Sequence, residues 1–405
     1  MRSFLRRRSI RVAAALAVVS GTAGLASVTA LTSSAQADPS FVSAYAGVGA
    51  DVTQDLYAAL GGASVAPPSS ATIFYTPLHS SAATNNKIID SFDADPAGGS
   101  TTAPGCVTTK LGGPSFDRPN STTAGIAALL AAVNGTGWEN SSASCTYTPV
   151  NVTGQIDFAR AARGPKGSGT TLTFVPFGRD AVSVVYYDHG TNHQATLTTA
   201  DLTALYSSST GTATINGDTV KACLTISGST PRSNLETAIG VSDATANTAA
   251  TAAGCNQIEQ NNANNFYTFA SGLPSGTDAV IPISSGSWIG QANGVAYDRS
   301  ATARANGVDL AAIDSLPKPY TGTAPNEVPN TTYYQSTQYG YNVYTVLPTA
   351  KLSGFTGDTA LESLFVGTSS QLCSPTYQAE GNKFGFDSLT SGEGTCGSTT
   401  TTGNS

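Results

Sequence analysis

Charged side chains are scarce in this sequence. Only 11% of its 405 residues are charged, whereas ordinary soluble domains carry about a quarter. Basic residues are the scarcer kind, with 19 Lys and Arg against 26 Asp and Glu, for a formal net charge of −7. A chain with this balance is poorly suited to follow the phosphate backbone of a nucleic acid, so no nucleic-acid partner is predicted.

Several catalytic and cofactor motifs are absent as well. The sequence has no C-x-x-C, no G-x-x-x-x-G-K-[ST], no G-x-S-x-G and no H-E-x-x-H. Its Gly47-Val48-Gly49 lacks the third glycine of a dinucleotide fingerprint, because Val52 stands in that place. Only three histidines occur, and His189 and His193 lie among loop-forming residues, so a four-ligand zinc site is not expected. We predict no metal, no cofactor and no catalytic residue.

Residues 1–37 have the three parts of a secretory signal peptide. Five arginines between Arg2 and Arg11 make a positive start, and Val12–Val28 is small and mostly apolar. Ala35-Gln36-Ala37 then fits an A-x-A cleavage site. Cleavage there leaves a mature chain from Asp38 with 14 basic and 26 acidic residues, a net charge of −12. We expect a secreted protein, extracellular or associated with the cell wall, and both Sec and Tat export stay open.

The cysteines are even in number, as expected for disulfides in an exported chain. Six cysteines allow 15 pairings, and the sequence alone does not choose among them. We favour sequential pairing, in which each bond closes a loop of about 20–40 residues and contributes about 2–4 kcal/mol in the chain-entropy model. The favoured pairs are Cys106–Cys145, Cys223–Cys255 and Cys373–Cys396.

Short apolar runs alternate with helical patterns, which predicts a mixed α/β fold. Several of the runs are apolar nearly throughout, as strands covered on both faces are. The expected strands are Thr72–Tyr75, Gln155–Phe158, Leu172–Phe177, Ala181–Tyr187, Ala279–Ile283 and Val343–Leu347.

The helix signals are start and stop residues around apolar periodicity. The clearest helix is Thr122–Val133, which Asn134-Gly135 ends. Thr198-x-x-Asp201 resembles a capping box, and Pro231 suits the first turn of a helix from Thr230. Further helices are expected at 52–60 and Asp358–Val366. Surface loops are expected at 93–115, 207–220 and 241–254, and a frayed tail at 390–405.

Three of the predicted helices follow a loop of small and hydroxyl residues. Free N–H groups and the positive end of the helix dipole make such a start an anion site. Ser and Thr hydroxyls add donors, and Arg118 and Arg232 can add bidentate charge. The same residue types also cap helices that bind nothing, so a purely structural role stays open for each loop. The loops are Gly47–Thr53, Arg118–Gly125 and Ser227–Arg232.

Seven segments, spread in order over residues 41–390, carry a resemblance to a known family. They are Tyr45–Asp55, Arg118–Asn120, Ile156–Arg160, Leu172–Val182, Ser227–Arg232, Asp278–Ile283 and Val343–Pro348. This series resembles the phosphate-type substrate-binding proteins of ABC importers, most of all their secreted actinobacterial relatives. Its extent and order are more specific than any single motif in it.

The resemblance implies a two-lobed, periplasmic-binding-protein-like clamshell with mixed sheets and a two-strand hinge. One lobe would comprise 38–178 and 286–405, with a flexible C-terminal tail, and the other 179–285. The crossing strands would lie near Phe177–Val182 and Ile281–Ser285. The implied function is to hold a small anion, phosphate or a related oxyanion, between the lobes for uptake. The implied partner is an ABC permease, the protein would be a monomer, and no catalysis is implied.

The three loops would then converge on the cleft between the lobes. Four arginines would add positive charge to the same cleft, although a surface or inter-lobe salt-bridge role stays open for each. The implied ligand-binding residues are Ala50, Asp51, Val52, Thr53, Arg118, Ser121, Thr122, Thr123, Arg160, Arg163, Ser227, Gly228, Ser229, Thr230 and Arg232.

Two other functions stay open. The family has a Thr-Phe pair where Asp51-Val52 stands, and no acid lies near Ala161-Ala162, where the family has an aspartate. A surface or matrix module that keeps the clamshell but has lost phosphate binding is therefore the main alternative. A hydrolase that uses Ser229 or Thr230 is the other, although no His or Lys base lies near them in sequence.

Overall fold

A computed structural model describes residues 44–62, 78, 88–95, 104–140, 145, 148–189, 196–352, 357–390 and 392–405. The predicted signal peptide and the predicted strand Thr72–Tyr75 lie outside these residues, as do His79 and His193. Of the helices in the described part of the chain, none combines the length and the apolar character that crossing a membrane would take.

Helices and strands alternate along the described chain, which confirms the mixed α/β class. The α-helices are α1 (Gln54–Leu60), α2 (Thr122–Asn134), α3 (Thr199–Tyr206), α4 (Thr230–Ile239), α5 (Asp243–Ala252), α6 (Ala263–Ala270), α7 (Ser285–Ala292), α8 (Ala301–Ala305), α9 (Thr331–Tyr334), α10 (Thr359–Phe365) and α11 (Pro375–Lys383). The strands are β1 (Tyr45–Gly49), β2 (Ile89–Ser91), β3 (Cys106–Val107), β4 (Phe116–Asp117), β5 (Gly137–Trp138), β6 (Val150–Asn151), β7 (Phe158–Ala161), β8 (Leu172–Tyr187), β9 (Thr196–Leu197), β10 (Thr212–Ile215), β11 (Asp218–Ala222), β12 (Thr277–Ser284), β13 (Asp309–Leu310), β14 (Ala312–Ile313), β15 (Tyr320–Thr321), β16 (Val328–Pro329), β17 (Gly340–Pro348) and β18 (Thr402–Gly403).

One mixed sheet contains the long strands, in the order β10-β11-β12-β8-β17-β7-β1-β2. β8 has 16 residues, and all but Tyr187 are buried, as suits a strand covered on both faces. Residues 172–181 of β8 pair with β17, and residues 182–187 pair with β12, both antiparallel. β8 is therefore shared by the two ends of the sheet. The predicted strands Leu172–Phe177 and Ala181–Tyr187 are parts of this one strand.

Separate apolar cores cover the two ends of the sheet. One core surrounds β11, β12 and residues 181–186 of β8. Two further cores cover β1, β7 and residues 172–177 of β8. Trp288, Tyr333 and Tyr339 belong to the first core, although 286–405 was predicted to join the lobe that starts at residue 38. The extent of the lobes stays a prediction.

The carboxylate of Asp180 fixes the point where the two ends of the sheet meet. Its Oδ2 accepts hydrogen bonds from Ser284 Oγ at 2.6 Å and from Tyr341 Oη at 2.5 Å. Its Oδ1 accepts from the backbone N–H of Gly286 at 2.9 Å, at the start of α7. The fully buried Asp180 thus joins β8, β12 and β17, and it pairs with a free N–H group at the start of α7. Burial raises the pKa of this carboxyl.

Several predicted helices are confirmed with their caps. The side chain of Ser121 accepts from Ala124 N at the start of α2. Thr198 and Asp201 form the predicted capping box of α3. Pro231 lies in the first turn of α4, and Asp358 caps α10.

Two predicted loops are regular structure instead. Residues 241–254 contain α5, whose Ala246, Ala249 and Ala250 are fully buried. The prediction of a loop there is wrong because alanine is an excellent helix former, and small side chains let a helix pack closely. Residues 207–220 contain β10 and most of β11, joined through Asn216 and Gly217, which both have positive φ.

The C-terminal residues also differ from the prediction of a frayed tail. Residues of β18 pair with Leu172 and Thr173 of β8. The backbone N–H of Lys166 donates to Ser405 O at 2.8 Å. Residues 401–405 are thus part of the sheet, because the start of β8 offers them a free edge.

The predicted sequential disulfides are confirmed. Cα–Cα distances are 5.3 Å for Cys106–Cys145, 4.7 Å for Cys223–Cys255 and 5.7 Å for Cys373–Cys396. Each pair is within the range that a disulfide spans. The first ties the region of β3 to the loop after β5, the second ties the end of β11 to the end of α5, and the third ties α11 to the tail.

Candidate functional site

The first two predicted loops meet at one edge of the sheet. β1 is parallel to β7 and to β2, so their carboxyl ends lie along the same edge. α1 begins after β1, and Thr122 Oγ1 at the start of α2 accepts from Ala162 N, just after β7, at 3.0 Å. A Cβ at Gly125 would lie 2.4 Å from the Cα of Gly49, so only glycine permits this approach. The fold therefore brings two predicted segments, Ala50–Thr53 and Ser121–Thr123, to the same edge of the sheet.

Arg160 lies beneath these loops and is fully buried. Its guanidinium donates to the carbonyl oxygens of Gly49, Ala50 and Phe92 and to Ser91 Oγ, at 2.6–3.1 Å. Burial lowers the pKa of Arg160 to about 10. The guanidinium therefore holds the ends of β1 and β2 in place. Arg160 was predicted to contact the ligand, and to do so it would have to give up some of these hydrogen bonds.

Arg118 is also buried and donates to backbone carbonyls. Its acceptors are the oxygens of Asp93, Pro104 and Cys106, at 2.8–3.0 Å. These bonds fix the segment around β3 rather than reach a free space. Its predicted contact with a ligand stays a prediction.

Arg163 differs from the other predicted arginines because it is only half-buried. Its guanidinium donates to Thr123 Oγ1 at 3.1 Å and to Gly164 O at 3.0 Å. Burial lowers its pKa. Arg163 thus lies beside the start of α2, where it and Thr123 can both face an incoming anion.

The third predicted loop lies beside a groove at the start of α4. The groove has a volume of about 620 Å³ and is lined by Ser227, Gly228 and Arg232, together with Lys166. Gly228 has φ +79°, which brings the backbone of the loop around in a left-handed conformation that glycine adopts freely. The segment after β7, through Lys166, and the loop before α4 therefore line the same groove.

Arg232 is buried at the base of this groove and is held by acidic partners. It contacts Glu236 at 3.0 Å and Asp243 at 2.8 Å, and it donates to Thr225 O at 3.0 Å. Burial raises the pKa of Glu236 to about 7. Ser229 Oγ shares a 2.6 Å hydrogen bond with Thr225 Oγ1, and Thr230 begins α4. The guanidinium is thus paired, and Lys166 provides the nearest exposed positive charge on the groove.

Asp51 does not cap a helix. No side-chain hydrogen bond caps the short helical turn that it starts, and its Oδ2 instead accepts from Asn261 Nδ2 at 2.8 Å. Burial and the nearby charge of Asp95 raise the pKa of Asp51 to about 7. Burial also raises the pKa of Asp55 to about 6. This end of β1 is acidic, so an anion would be repelled by ionised Asp51.

These raised pKa values predict that stability falls as pH rises. An acid whose pKa is higher in the folded state than in the unfolded state stabilises the fold while it is protonated. This contribution is complete below the unfolded pKa, about 4, and it is lost as the pH rises to the folded pKa, about 7 for Asp51. We expect the free energy of unfolding of Asp51→Asn, relative to that of the parent, to rise by roughly 2–3 kcal/mol from pH 5 to pH 8, because each pH unit below the folded pKa contributes about 1.4 kcal/mol. Urea unfolding at the two pH values measures the difference.

A matched control is available in the exposed capping box. Asp201 lies in the capping box of α3 and does not line the acidic region around Asp51. We expect Asp201→Asn to lower the free energy of unfolding by roughly 0.5–1 kcal/mol at both pH values, because it weakens this cap. If Asp51→Asn behaves in the same way, with an offset independent of pH, Asp51 is not the titrating group.

Sequence reasoning missed four residues of these regions. Asp55 follows Asp51 by one helical turn, which is a visible signal, and Lys166 follows Arg160 and Arg163 at a spacing of three. Asp95 and Arg299 pair across 204 residues of sequence, and no local pattern indicates that. Among the residues that the structure describes, no group of three or more His, Cys, Asp or Glu side chains could hold a metal ion.

No protein-family model matches the chain, and no curated protein matches it either. Several solved structures are similar, and two serve as examples. An ABC-type phosphate transport receptor from Vibrio cholerae has 16% identity and a TM-score of 0.40, and covers 67% of this chain and 86% of its own. PstS from Borrelia burgdorferi has 11% identity and a TM-score of 0.40, and covers 86% of this chain and 99% of its own. Similarity at this level says nothing of what this chain binds.

Proposed function

We propose that this chain is an exported solute-binding protein that holds a small oxyanion, phosphate or a related ion, between two lobes for ABC-type uptake. The lobes would be built on the two ends of the sheet, with β8 as one crossing strand. We propose β17 as the other, in place of the predicted Ile281–Ser285, because within β8 the strand β12 pairs only with residues 182–187. We place residues 288–339 with the lobe of 179–285, because Trp288, Tyr333 and Tyr339 pack in the core of that end. The molecule would act as a monomer and would catalyse no reaction.

The groove at the start of α4 carries this proposal. Lys166 and Ser227–Gly228 line it together, although they belong to different ends of the sheet. The N–H groups of a helix start favour an anion, and a lysine ammonium adds a compact positive charge. We place the oxyanion in this groove, between Lys166 and Ser227–Gly228. This arrangement relies on Lys166 more than on the buried Arg118, Arg160 and Arg232.

Titration with anions tests the proposal. Phosphate and sulfate are expected to raise the melting temperature at constant ionic strength, because a ligand that binds only the folded state stabilises it. Lys166→Ala should weaken phosphate binding about 10–100-fold in calorimetry, the usual worth of a charge-assisted hydrogen bond. Lys318→Ala is the matched control, since it removes a lysine that is paired with Asp309 on another groove.

The saturated arginines favour a second candidate. Arg118, Arg160 and Arg232 all donate to acceptors within the protein, and Asp51 adds negative charge where the family resemblance implies an anion site. A secreted surface module with the same architecture but without phosphate binding accounts for both observations. If no anion stabilises the parent, this second candidate replaces the first. If Lys166→Ala and Lys318→Ala bind phosphate equally, the oxyanion does not bind in the groove of Lys166.

A further inference from the structure

A small cavity lies against the first turn of α1, away from the groove at α4. Its volume is about 40 Å³, enough for one occupant of about the size of a water molecule. α7 and the residues around Asn261 and Arg299 form its other walls. The polar side chains that line it include Asp51, Asp55, Asp95, Asn261, Gln291 and Arg299.

Asp95 has an oxygen without a partner on this cavity. The residue is 4% exposed, and its Oδ1 is buried and makes no hydrogen bond, whereas Oδ2 pairs with Arg299. Leaving a buried acceptor unpaired is unfavourable, so Oδ1 calls for a donor that the protein does not supply. The position is fixed, because Gln54 Oε1 accepts from the N–H groups of Ala94 and Asp95 and Gln54 Nε2 donates to Asp95 O, at 2.9–3.1 Å.

Negative charge exceeds positive charge around the cavity. Asp51, Asp55 and Asp95 line the cavity, and Glu259 pairs with Arg299 beside it. Among the described residues, the guanidinium groups whose charge acts on Asp51 and Asp55 are those of Arg160 and Arg299. Both guanidinium groups are already engaged: Arg160 with backbone carbonyls and Ser91, and Arg299 with Asp95 and Glu259. An anion is therefore disfavoured here, and a small cation would offset the surplus of negative charge.

The amide side chains narrow the class of ligand. Asn261 uses both of its polar side-chain atoms, since Nδ2 donates to Asp51 and Oδ1 accepts from Ser284 N at 3.1 Å. Gln291 likewise donates to Asn261 O and accepts from Arg299 N, both at 2.9 Å. The remaining polar groups of the wall include the carboxylate oxygens of Asp51, Asp55 and Asp95. These suit a cation that donates hydrogen bonds, and the described carboxylates are not grouped closely enough for a metal ion.

We propose that this cavity binds an ammonium ion, or a primary ammonium group of the same size, with Asp95 Oδ1 as the principal acceptor and Asp51 and Asp55 as neighbouring carboxylates. The site is independent of the oxyanion proposal, because it shares no wall with the groove of Lys166. Asp51 comes from the segment after β1, and its partner Asn261 precedes α6, so a bound cation would strengthen the contact between these segments.

Thermal unfolding of the full chain at pH 8 tests the ammonium site. Ammonium chloride and methylammonium chloride are compared with sodium chloride and potassium chloride at the same ionic strength. We expect the melting temperature to rise with ammonium and to saturate, whereas sodium and potassium produce a smaller rise without saturation. At pH 5 the ammonium effect should shrink, because Asp51 and Asp55 then carry protons, while Arg160 and Arg299 remain charged.

Variants locate the effect. Asp95→Asn should weaken ammonium binding at least tenfold, and Asp55→Asn gives the second variant should Asp95→Asn fold poorly. Asp309→Asn, which removes a carboxylate from another groove, should leave the response unchanged. Equal responses to ammonium, potassium and sodium would overturn the proposal, as would an undiminished response in Asp95→Asn and Asp55→Asn. A phosphate effect without an ammonium effect would contradict this site alone, and the reverse would contradict only the oxyanion proposal.

Discussion

Arg160→Met is expected to lower the free energy of unfolding by roughly 3–5 kcal/mol, the usual cost of removing one partner from a buried charged network. The guanidinium is fully buried and donates to three backbone carbonyls and Ser91. Methionine fills much of the space but donates nothing, so these acceptors would be left unpaired in the interior. Its charge also acts on Asp51, Asp55 and Asp93, which would lose a compensating cation.

A loss of this size is a large share of the 5–15 kcal/mol by which domains are ordinarily stable. Urea unfolding followed by circular dichroism measures it. Arg163→Met is the comparison, because Arg163 is half-buried and makes only two hydrogen bonds; we expect roughly 1 kcal/mol or less. A loss below about 1 kcal/mol for Arg160→Met would mean that water or another group replaces the guanidinium bonds.

Removal of the Cys223–Cys255 disulfide is the second large effect. The bond closes a separation of 32 residues, for which loop-closure entropy predicts about 3–4 kcal/mol. Both cysteines are buried, and the backbone around them forms a ladder in which Leu224 N donates to Cys255 O and Ile258 N donates to Leu224 O. We expect Cys223→Ala/Cys255→Ala to lose that stability and to keep the fold, because this ladder and the surrounding core remain.

The comparison is with Cys373→Ala/Cys396→Ala. That bond spans 23 residues, so its loop-entropy term is similar, but Cys396 is only partly buried. We expect a loss of about 2–3 kcal/mol, smaller than for the first pair. Guanidinium unfolding of both double variants, with the parent before and after reduction, gives the values. If removal of the buried disulfide lowers the free energy of unfolding by less than removal of the partly exposed one, burial of the cysteines adds no stability beyond the loop entropy.

Local features of the sequence predicted local structure well. The capping box at Thr198 and Asp201, the Asn134-Gly135 stop and the proline at 231 each act within a few residues, so their effects can be read from the chain itself. Sequential disulfides were also correct, because each joins segments that are close along the chain. The fold class followed from the alternation of these elements.

The roles of the arginines could not be predicted in the same way. Arg118 and Arg160 stand in loop and strand segments that fit an anion site, yet their acceptors are carbonyls as much as 111 residues away. The position of each carbonyl depends on how the strands pair, and this register cannot be read from the sequence alone. Asp51 is a similar case, since the residue that determines its environment, Asn261, is 210 residues further along the chain.

Residues 401–405 have a consequence for how the chain folds. They are synthesised after β8, yet Thr402 and Gly403 pair with the start of that strand, and Asn404 accepts from Thr171 N across 233 residues. Tyr45 Oη donates to Asp358 across 313 residues in the same way. Contacts of such sequence separation slow folding, and this sheet cannot be completed while residues 401–405 are still being synthesised. The start of β8 therefore keeps an unpaired edge in the nascent chain until these residues have left the ribosome.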